Sequence, residues 1–492
     1  MRRTEIDGIP LYWDDVPGPG TAHLLFGTGI EHEPFPRRGL TAVLARLALD
    51  AVAGTAHGCE ELDAAVEGDH TRFTVTGEPE RVAEAVNGLC RALAEPPVDD
   101  APALAAAVRR AVAREEREER WEGFQERELA FRYGLRGPGK TGRPAPAVGH
   151  LGAAALRDWA AARFTRGGAV LLLTGPPPRA LAPRLPAGPA PERPVVEPLP
   201  GTSGCWLEAP HEDGERVTLS FDVPATPVGY LAADVARARA AADPATAPDL
   251  TGEVELHSAY VGGGRMRFWL LAPTDEPGAR AVADGLDGVL RALAGRGPAE
   301  AEVRRAAAAR AARLGSDTGR LGQLFAAGLD HVSGLAVYDV PGVLARLAAA
   351  GAREVREALA GYPSTALLVM PAHCAPGPDS PFVPEPVRFP EGLREAYEYR
   401  PRLFGGAGRH ERLYLGDEGL AHWTGHCNHL VRWHQVAGLG VGPAGRRVLH
   451  GEHGAVIDIQ ADQYKSGGDL IVAVDRLVPA SLRFPTGDGE PI

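Results

Sequence analysis

Lysine is nearly missing from this chain: Lys140 and Lys465 stand alone among 52 basic residues, the rest being arginine. Arginine, alanine, glycine and proline abound together, the mark of codon pressure in a GC-rich genome, so Ala-rich helices and Arg-for-Lys choices carry little functional weight. Cysteine is scarce as well. Cys59, Cys90, Cys205, Cys374 and Cys427 are odd in number, far apart and free of any CxxC. That pattern excludes a disulfide framework and a zinc knuckle, and it fits a reducing cytoplasm. No run of about 18 apolar residues occurs, and the opening MRRTEIDGIPLYWDDVPG breaks at Asp, Pro and Gly before any apolar stretch develops, so neither export nor a membrane span is expected. With a formal net charge of -12, a sequence pI of about 5.8 and no basic arm or stripe, the chain lacks the electrostatic footprint of a nucleic-acid binder. There is no GxSxG, and no Cys–His pairing with a local signature, so a serine or cysteine nucleophile has no support.

What is present reads as globular: 44% hydrophobic and 24% charged residues over 492 positions, enough for about three domains at roughly 100 to 200 residues each. An internal repeat fixes the organisation. EPERVAEAVNGLCRALAEPPVDDAPALAAAVRRAVARE, from Glu78, and EPGARAVADGLDGVLRALAGRGPAEAEVRRAAAARAARL, from Glu276, share a Glu-Pro start, an amphipathic helix ending RALA, a turn and a longer Arg-rich helix. Each copy follows a strand-like run opening Arg-Phe (RFTVTG, RFWLLAP) and leads to a continuous apolar run (AVLLLTG, ALLVMPA) that reads as a strand buried on both faces. The expectation is an α+β fold of two homologous domains, residues 1–180 and 205–372, each with a β-sheet covered by helices. The Pro-rich stretch 181–204 forms a stiff connector between them, and a second, 373–401, closes the later copy. From 402 to 492 come short strand signals separated by GxG-type turns (RLYLGDEGLAHW, HLVRWHQVAGLGV, RRVLHGEHGAVIDIQ, LIVAVDRLVPASL), the pattern of a small mostly-β domain.

In GLTAVLARLAL, from Gly39, the residues Leu40, Val43, Leu44 and Leu47 recur at helical spacing and predict a helix with one packed face. With its lead-in FGTGIEHEPFPRR, it resembles the catalytic helix of the insulinase and mitochondrial-processing-peptidase family of the pitrilysin clan. Gly27-Thr28, Glu31 and Gly39-Leu40 match the flank. The family's inverted HxxEH motif sets two imidazoles one helical turn apart for zinc, with the intervening Glu polarising water. Carried onto this chain, those positions are Ala42, Ala45 and Arg46. Alanine has no lone pair, and a permanently charged guanidinium with no acceptor repels a dication. The third family ligand, a Glu on a later helix, falls in AREEREERWEG, where Glu116 is nearest and Glu115 and Glu119 are rivals. That run reads on its own terms as an exposed helix with alternating signs.

The resemblance extends over both copies. GFQERELAFRYGLRGPGKTGRPAPAVGHLG is similar to the family segment in which an "HPLGRP" loop leads to a helix and the closing strand. LHSAYVGGGRMRFWLLAPT is similar to the strand where an Arg and a Tyr hold substrate backbone. Tyr260 keeps the Tyr and is the substrate-binding candidate, whereas the Arg position is Glu253. Bacterial members of the family often pair a zinc-bearing subunit with a homologue that has lost the motif, two such half-clam chains enclosing a chamber. The resemblance therefore implies a non-catalytic subunit without zinc of its own, working with a homologous catalytic subunit that holds the metal and cleaves a peptide substrate. A standalone peptide- or protein-binding scaffold is the alternative.

Three other patterns compete for a function. GLRGPGKT, Gly134 to Thr141, fits GxxxxGK[ST] letter for letter, but a helix-like FQERELAFRY precedes it and GRPAP follows, so the strand–loop–helix context of a phosphate loop is missing. His422, His426, His429 and His434 crowd AHWTGHCNHLVRWH around Cys427, and the first three are candidate metal ligands. Gly425 and the alternation through Leu430, Arg432 and Trp433 predict strands and a turn that scatter the imidazoles to different faces. His57, Cys59 and His70 form a third, weaker group, with two of its members on opposite sides of a strand or loop. The tail itself is similar to small pleckstrin-homology-like β-barrels, with Leu430, Trp433 and Val436 in the core, a class of module that binds proteins; its mixed surface gives no reason to expect membrane.

Overall fold

Asp7-Gly8 opens the fold. Both residues take positive φ, 52° and 80°, the type I′ geometry whose twist matches paired strands, and they join β1 (Arg2–Ile6) to β2 (Ile9–Trp13) with Ile6 facing Ile9. The computed structural model describes residues 1–54, 58–118, 123–143, 145–193, 195–209, 215–385, 393, 395–402, 408, 410–425 and 428–486, with only the backbone of 115–118. These residues fall into two units: Met1–Gly29 with Leu47–Pro97 and Asp158–Pro386, and Ile30–Arg46 with Val98–Arg157 and Val387–Ile492.

The first unit holds two six-stranded sheets of one design. The strands β3 (Gly20–Phe26), β4 (Cys59–Val66), β5 (Thr71–Gly77) and β6 (Ala169–Leu173) complete the first sheet in the order β1-β2-β6-β3-β5-β4. In the second, β7 (Cys205–Glu208), β8 (Arg216–Pro224), β9 (Glu255–Gly262), β10 (Arg265–Pro273), β11 (Leu367–Met370) and β12 (Val383–Pro384) run in the order β12-β7-β11-β8-β10-β9. Counted from β2 and β7 onward, the orders coincide strand for strand. The directions coincide too: β2–β6 and β7–β11 are parallel, and the next three pairs in each sheet are antiparallel. Only the outer strand differs, an antiparallel hairpin arm in one copy and the parallel β12 in the other. The apolar runs AVLLL and LLVM become β6 and β11, buried along their whole length as central strands covered on both faces must be. The α+β duplication expected from the repeat is therefore present.

Each copy also carries helices. The earlier copy contributes α1 (Leu40–Ala53), α2 (Pro79–Ala94), α3 (Ala101–Glu118), α4 (Phe124–Tyr133) and α5 (Ala153–Arg163). The later copy contributes α6 (Pro227–Ala242), α7 (Ala279–Arg296), α8 (Glu300–Leu314), α9 (Asp317–Val332), α10 (Val340–Ala349), α11 (Ala352–Leu359) and α12 (Tyr362–Thr365). The RALA helices are α2 and α7, and each packs on its own sheet, α2 on β3 and β5 and α7 on β8 and β11. Helix α9 crosses to the other copy and covers β2, β3 and β6. Its Leu324 packs with Tyr12, Leu25, Val170 and Leu172 on one face of the first sheet. Gly328 permits the approach, since a Cβ there would lie 2.7 Å from Leu25 Cδ1 and 2.8 Å from Leu172 Cδ1. Phe325 stands beside His23 and under the Arg72 guanidinium, and Tyr12 and His331 share a 3.1 Å hydrogen bond. The two copies are thus fastened by an aromatic and polar layer around an apolar centre.

The second unit carries the C-terminal β domain. Strands β13 (Ala396–Tyr399), β14 (Arg412–Gly416), β15 (Gly419–Trp423) and β16 (Asn428–Arg432) form one antiparallel meander. A second meander of β17 (Val436–Val441), β18 (Arg446–Gly451) and β19 (Val456–Gln460) is extended by β20 (Arg483–Pro485), parallel to β17. LIVAVDRLVPASL, read above as a strand signal, departs from that expectation: it lies largely in α13 (Gly467–Leu477). Its buried residues are Leu470, Ile471, Val474 and Val478, the i, i+1, i+4, i+8 stripe of a helix, with Val472 left 69% exposed. Strand-forming Val and Ile are overridden because the stripe meets a core of Leu413, Leu439, Ile457 and Ile459 from both meanders.

Candidate functional site

The site the sequence singles out lies at the start of α1, and its local structure is built by charge burial. Glu33 is 1% exposed, and its carboxylate accepts the backbone N–H groups of Gly39 at 2.8 Å and Thr41 at 2.6 Å. It therefore satisfies donors that an α-helix leaves open at its N-terminus and sets a negative charge at the positive end of the dipole. Burial pushes the Glu33 carboxyl up, opposed by those hydrogen bonds and by the Arg38 charge. Gly39, at φ +97°, makes the turn into the helix, and a Cβ there would lie 2.6 Å from Val148 Cγ2.

Lys140, the lysine of the phosphate-loop lookalike, completes this cluster. The sequence GPGK is a short 3₁₀ turn that follows α4, and no strand precedes it. The ammonium is buried and donates to the carbonyls of Glu31 at 2.5 Å and Glu33 at 2.6 Å. Burial lowers its pKa to about 8 against the pull of Glu33. Arg38, also buried, donates to the Arg143 carbonyl. The loop is a clamp on the segment leading into α1, with its one ammonium spent on protein carbonyls.

On α1 itself, Ala45 is 3% exposed, while Ala42 and Arg46 are half-buried. A methyl group stands sealed at the position to which the sequence resemblance assigns a water-activating carboxylate. The donor set fails a zinc test on chemistry: two methyl groups and a cation offer no lone pair to the metal. Of the Glu candidates for a third ligand, Glu115 and Glu116 lie on α3 with side chains outside the described residues, and Glu119 lies outside them altogether.

Tyr260 sits on β9, the edge strand of the second sheet, and its groups are engaged from within. Its hydroxyl accepts the Gly264 N–H at 3.2 Å across a Gly262-Gly263-Gly264 turn in which all three residues have positive φ. The Arg193 guanidinium, from the connector, lies 4.4 Å from the ring centroid and donates to the Tyr260 carbonyl at 3.2 Å. The same arginine pairs with Asp69 at 3.1 Å, and Asp69 accepts from His70 at 2.7 Å. Burial alone would raise the Asp69 pKa, but the His70 hydrogen bond and the His70 and Arg193 charges hold it at about 2. His70, once a ligand candidate, is thus a partner of Asp69, and His57 lies outside the described residues. Arg193 was not singled out in the sequence, and a lone Arg in a Pro-rich connector carries no signal that could have found it.

The tail histidines correct an expectation. His422 on β15 and His429 on β16 are direct cross-strand partners, so they share a face instead of being scattered, with ring centroids 6.4 Å apart. Strand alternation separates neighbours within a strand, but antiparallel register reunites these two across the turn. Glu411 reaches to 3.4 Å from His422 Nε2, and burial lowers the His422 pKa. His426 and Cys427 lie outside the described residues, and among those described no group of three or more His, Cys, Asp or Glu is placed to hold a metal ion. Leu430 and Val436 are buried, and Trp433 packs on the tail core while donating to the Gly416 carbonyl at 3.1 Å.

Sequence reasoning also missed what the tail packs against. Phe35, in the lead-in to α1, is buried with Leu135, Ala147, Ala437 and Phe484, and its ring lies 5.0 Å from that of His450 and 6.1 Å from that of Phe484. The Leu135 N–H donates to the Glu452 carbonyl at 2.7 Å. The emptied motif's lead-in is thereby fixed by the C-terminal β domain.

No family model matches the sequence, and no curated protein matches it. Solved structures do match in fold. A peptidase M16 inactive domain from Pseudomonas fluorescens aligns at TM-score 0.59 and 16% identity, over 77% of this chain and 99% of that one. A chain of complex III2 from Candida albicans aligns at 0.57 and 15%, over 75% and 95%. Pitrilysin aligns at 0.51 and 16%, over 74% of this chain and 44% of its own. The fold is that of the pitrilysin-clan, insulinase-like peptidases. No helix among the described residues is long and apolar enough to cross a membrane.

Proposed function

We propose that this chain is the non-catalytic subunit of a two-chain, insulinase-type metallopeptidase. It shapes the chamber wall and supports a homologous partner, which carries HxxEH and zinc and processes a peptide in the cytoplasm. One observation carries the reading: an insulinase-like scaffold whose three motif positions are Ala42, Ala45 and Arg46, the middle one sealed. The inactive domain among the fold neighbours supports it. The test is a search of the adjacent open reading frames for an HxxEH-bearing homologue, followed by its co-expression with this chain; neighbours that encode none count against the proposal. The expected result is a stable complex whose peptide cleavage collapses when this chain is omitted, with zinc in the partner only. A partner that cleaves equally well alone, or a purified chain that retains stoichiometric zinc and cuts peptides, ends the proposal.

The alternative is a standalone peptide- or protein-binding scaffold, in which Tyr260 is not the group that holds the ligand. The Tyr260 hydroxyl, carbonyl and one ring face are engaged by Gly264 and Arg193, so substrate holding by that residue is not required of the chain. Migration of the chain as a monomer that captures no homologue selects this reading.

A further inference from the structure

Away from the emptied motif, α6 and α8 of the second copy enclose a groove of about 540 Å³, within the roughly 300 to 1,000 Å³ usual for small-molecule sites. Its apolar lining is the exposed Ala238, Ala242, Pro244 and Ala309, together with the buried Val235 and Ala306. Its walls carry four arginines, 237, 239, 305 and 313, against three carboxylates, Asp234, Asp243 and Glu302, an excess of one positive charge on a chain of net charge -12.

The pairing within the groove sharpens that excess. Glu302 accepts the Arg239 Nε–H at 2.8 Å, a second Arg239 N–H, and the Ala299 backbone N–H at 2.7 Å. Asp234 accepts from Arg310 at 2.8 Å and Arg313 at 3.0 Å. Asp243 accepts the Ala245 backbone N–H at 2.8 Å. All three carboxylates are engaged. Arg237 and Arg305 make no hydrogen bond or ion pair with any described residue, and Arg305 acts only through its field on Glu302. Two guanidinium forks, each able to grip a carboxylate or phosphate through paired N–H donors, are left among the lining of the groove.

The geometry points to a binding site for a small anionic molecule with a compact apolar body: the body lies against Ala238, Ala242, Pro244 and Ala309, and its carboxylate or phosphate is gripped by Arg237 and Arg305. This site is independent of any peptidase partner. The experiment is isothermal titration of the full chain with phenyl phosphate and with phthalate, in about 0.15 M salt to screen diffuse attraction. Saturable binding of at least one probe is expected, and the two arms distinguish a phosphorylated from a carboxylated ligand. The double variant Arg237→Ala/Arg305→Ala should weaken binding by about tenfold or more with an unchanged circular dichroism spectrum. Arg304→Ala removes one positive charge from the exposed face of the same helix, outside the groove, and should leave binding intact. Absence of saturable binding by both probes, binding that survives the double variant, or an equal loss in Arg304→Ala overturns the site.

Discussion

Asp69 and His450 show how single buried groups tie this fold to pH. The folded-state pKa of Asp69, about 2, lies below the ordinary carboxylate value, so its stabilisation is fully present above about pH 4 and is lost as pH falls toward 2. A gap of this size amounts to roughly 2 kcal/mol. Asp69→Asn should remove it, destabilising the chain at pH 7 and flattening the dependence of the urea midpoint on pH between about 4 and 2. His450 works in a higher pH range. Burial, reinforced by the Arg143 charge, lowers its pKa to about 4, so the unfolded chain takes up the proton first as pH drops through the ordinary histidine range. Stability from this residue is whole above about pH 6.5 and falls on the way to 4. His450→Phe, placed among Phe35 and Phe484, should retain more of its pH 7 melting temperature at pH 5 than the parent does.

At the scale of the element, α1 is the instructive case. Leu40, Val43, Leu44 and Leu47 are all buried, as the helical spacing requires, and the helix starts where Gly39 and Glu33 set it. Its face at Ala45 is closed rather than merely blank. Ala45→Glu inserts a carboxylate into a position that is 3% exposed and should destabilise by about 1–3 kcal/mol from overpacking alone, read as a lower chemical-denaturation midpoint. Installing His, Glu and His at positions 42, 45 and 46 therefore has to overcome packing before it can supply metal ligands. The hairpin β15–β16 and α13 teach the complementary lesson, since cross-strand register and a neighbouring core decided what the local pattern of Val, Ile and His left open.

For the molecule as a whole, the fastenings between segments distant in sequence matter most. Helix α9 closes one face of the other copy's sheet, Arg193 links Asp69 to Tyr260, and Phe35 joins the α1 lead-in to the C-terminal β domain. Phe35→Ala should cost about 3–5 kcal/mol at that junction, the usual penalty for deleting a buried Phe. The expected readout is faster limited proteolysis within residues 387–492 at unchanged secondary structure. An unchanged cleavage rate would show that Phe35 does not hold the tail.

The duplication was legible in the sequence, because strand alternation, continuous apolar runs and the paired RALA helices are local patterns that each copy repeats. So was the lack of metal donors at Ala42, Ala45 and Arg46, because whether a side chain owns a lone pair is a property of the residue alone. Tertiary structure decided the rest. The sealing of Ala45, the occupation of Tyr260 by Arg193, the capture of Lys140 by the Glu31 and Glu33 carbonyls and the facing of His422 and His429 all depend on segments that meet only after folding. Burial and hydrogen-bond partners are set by what lies across space, and a one-dimensional pattern carries no record of it.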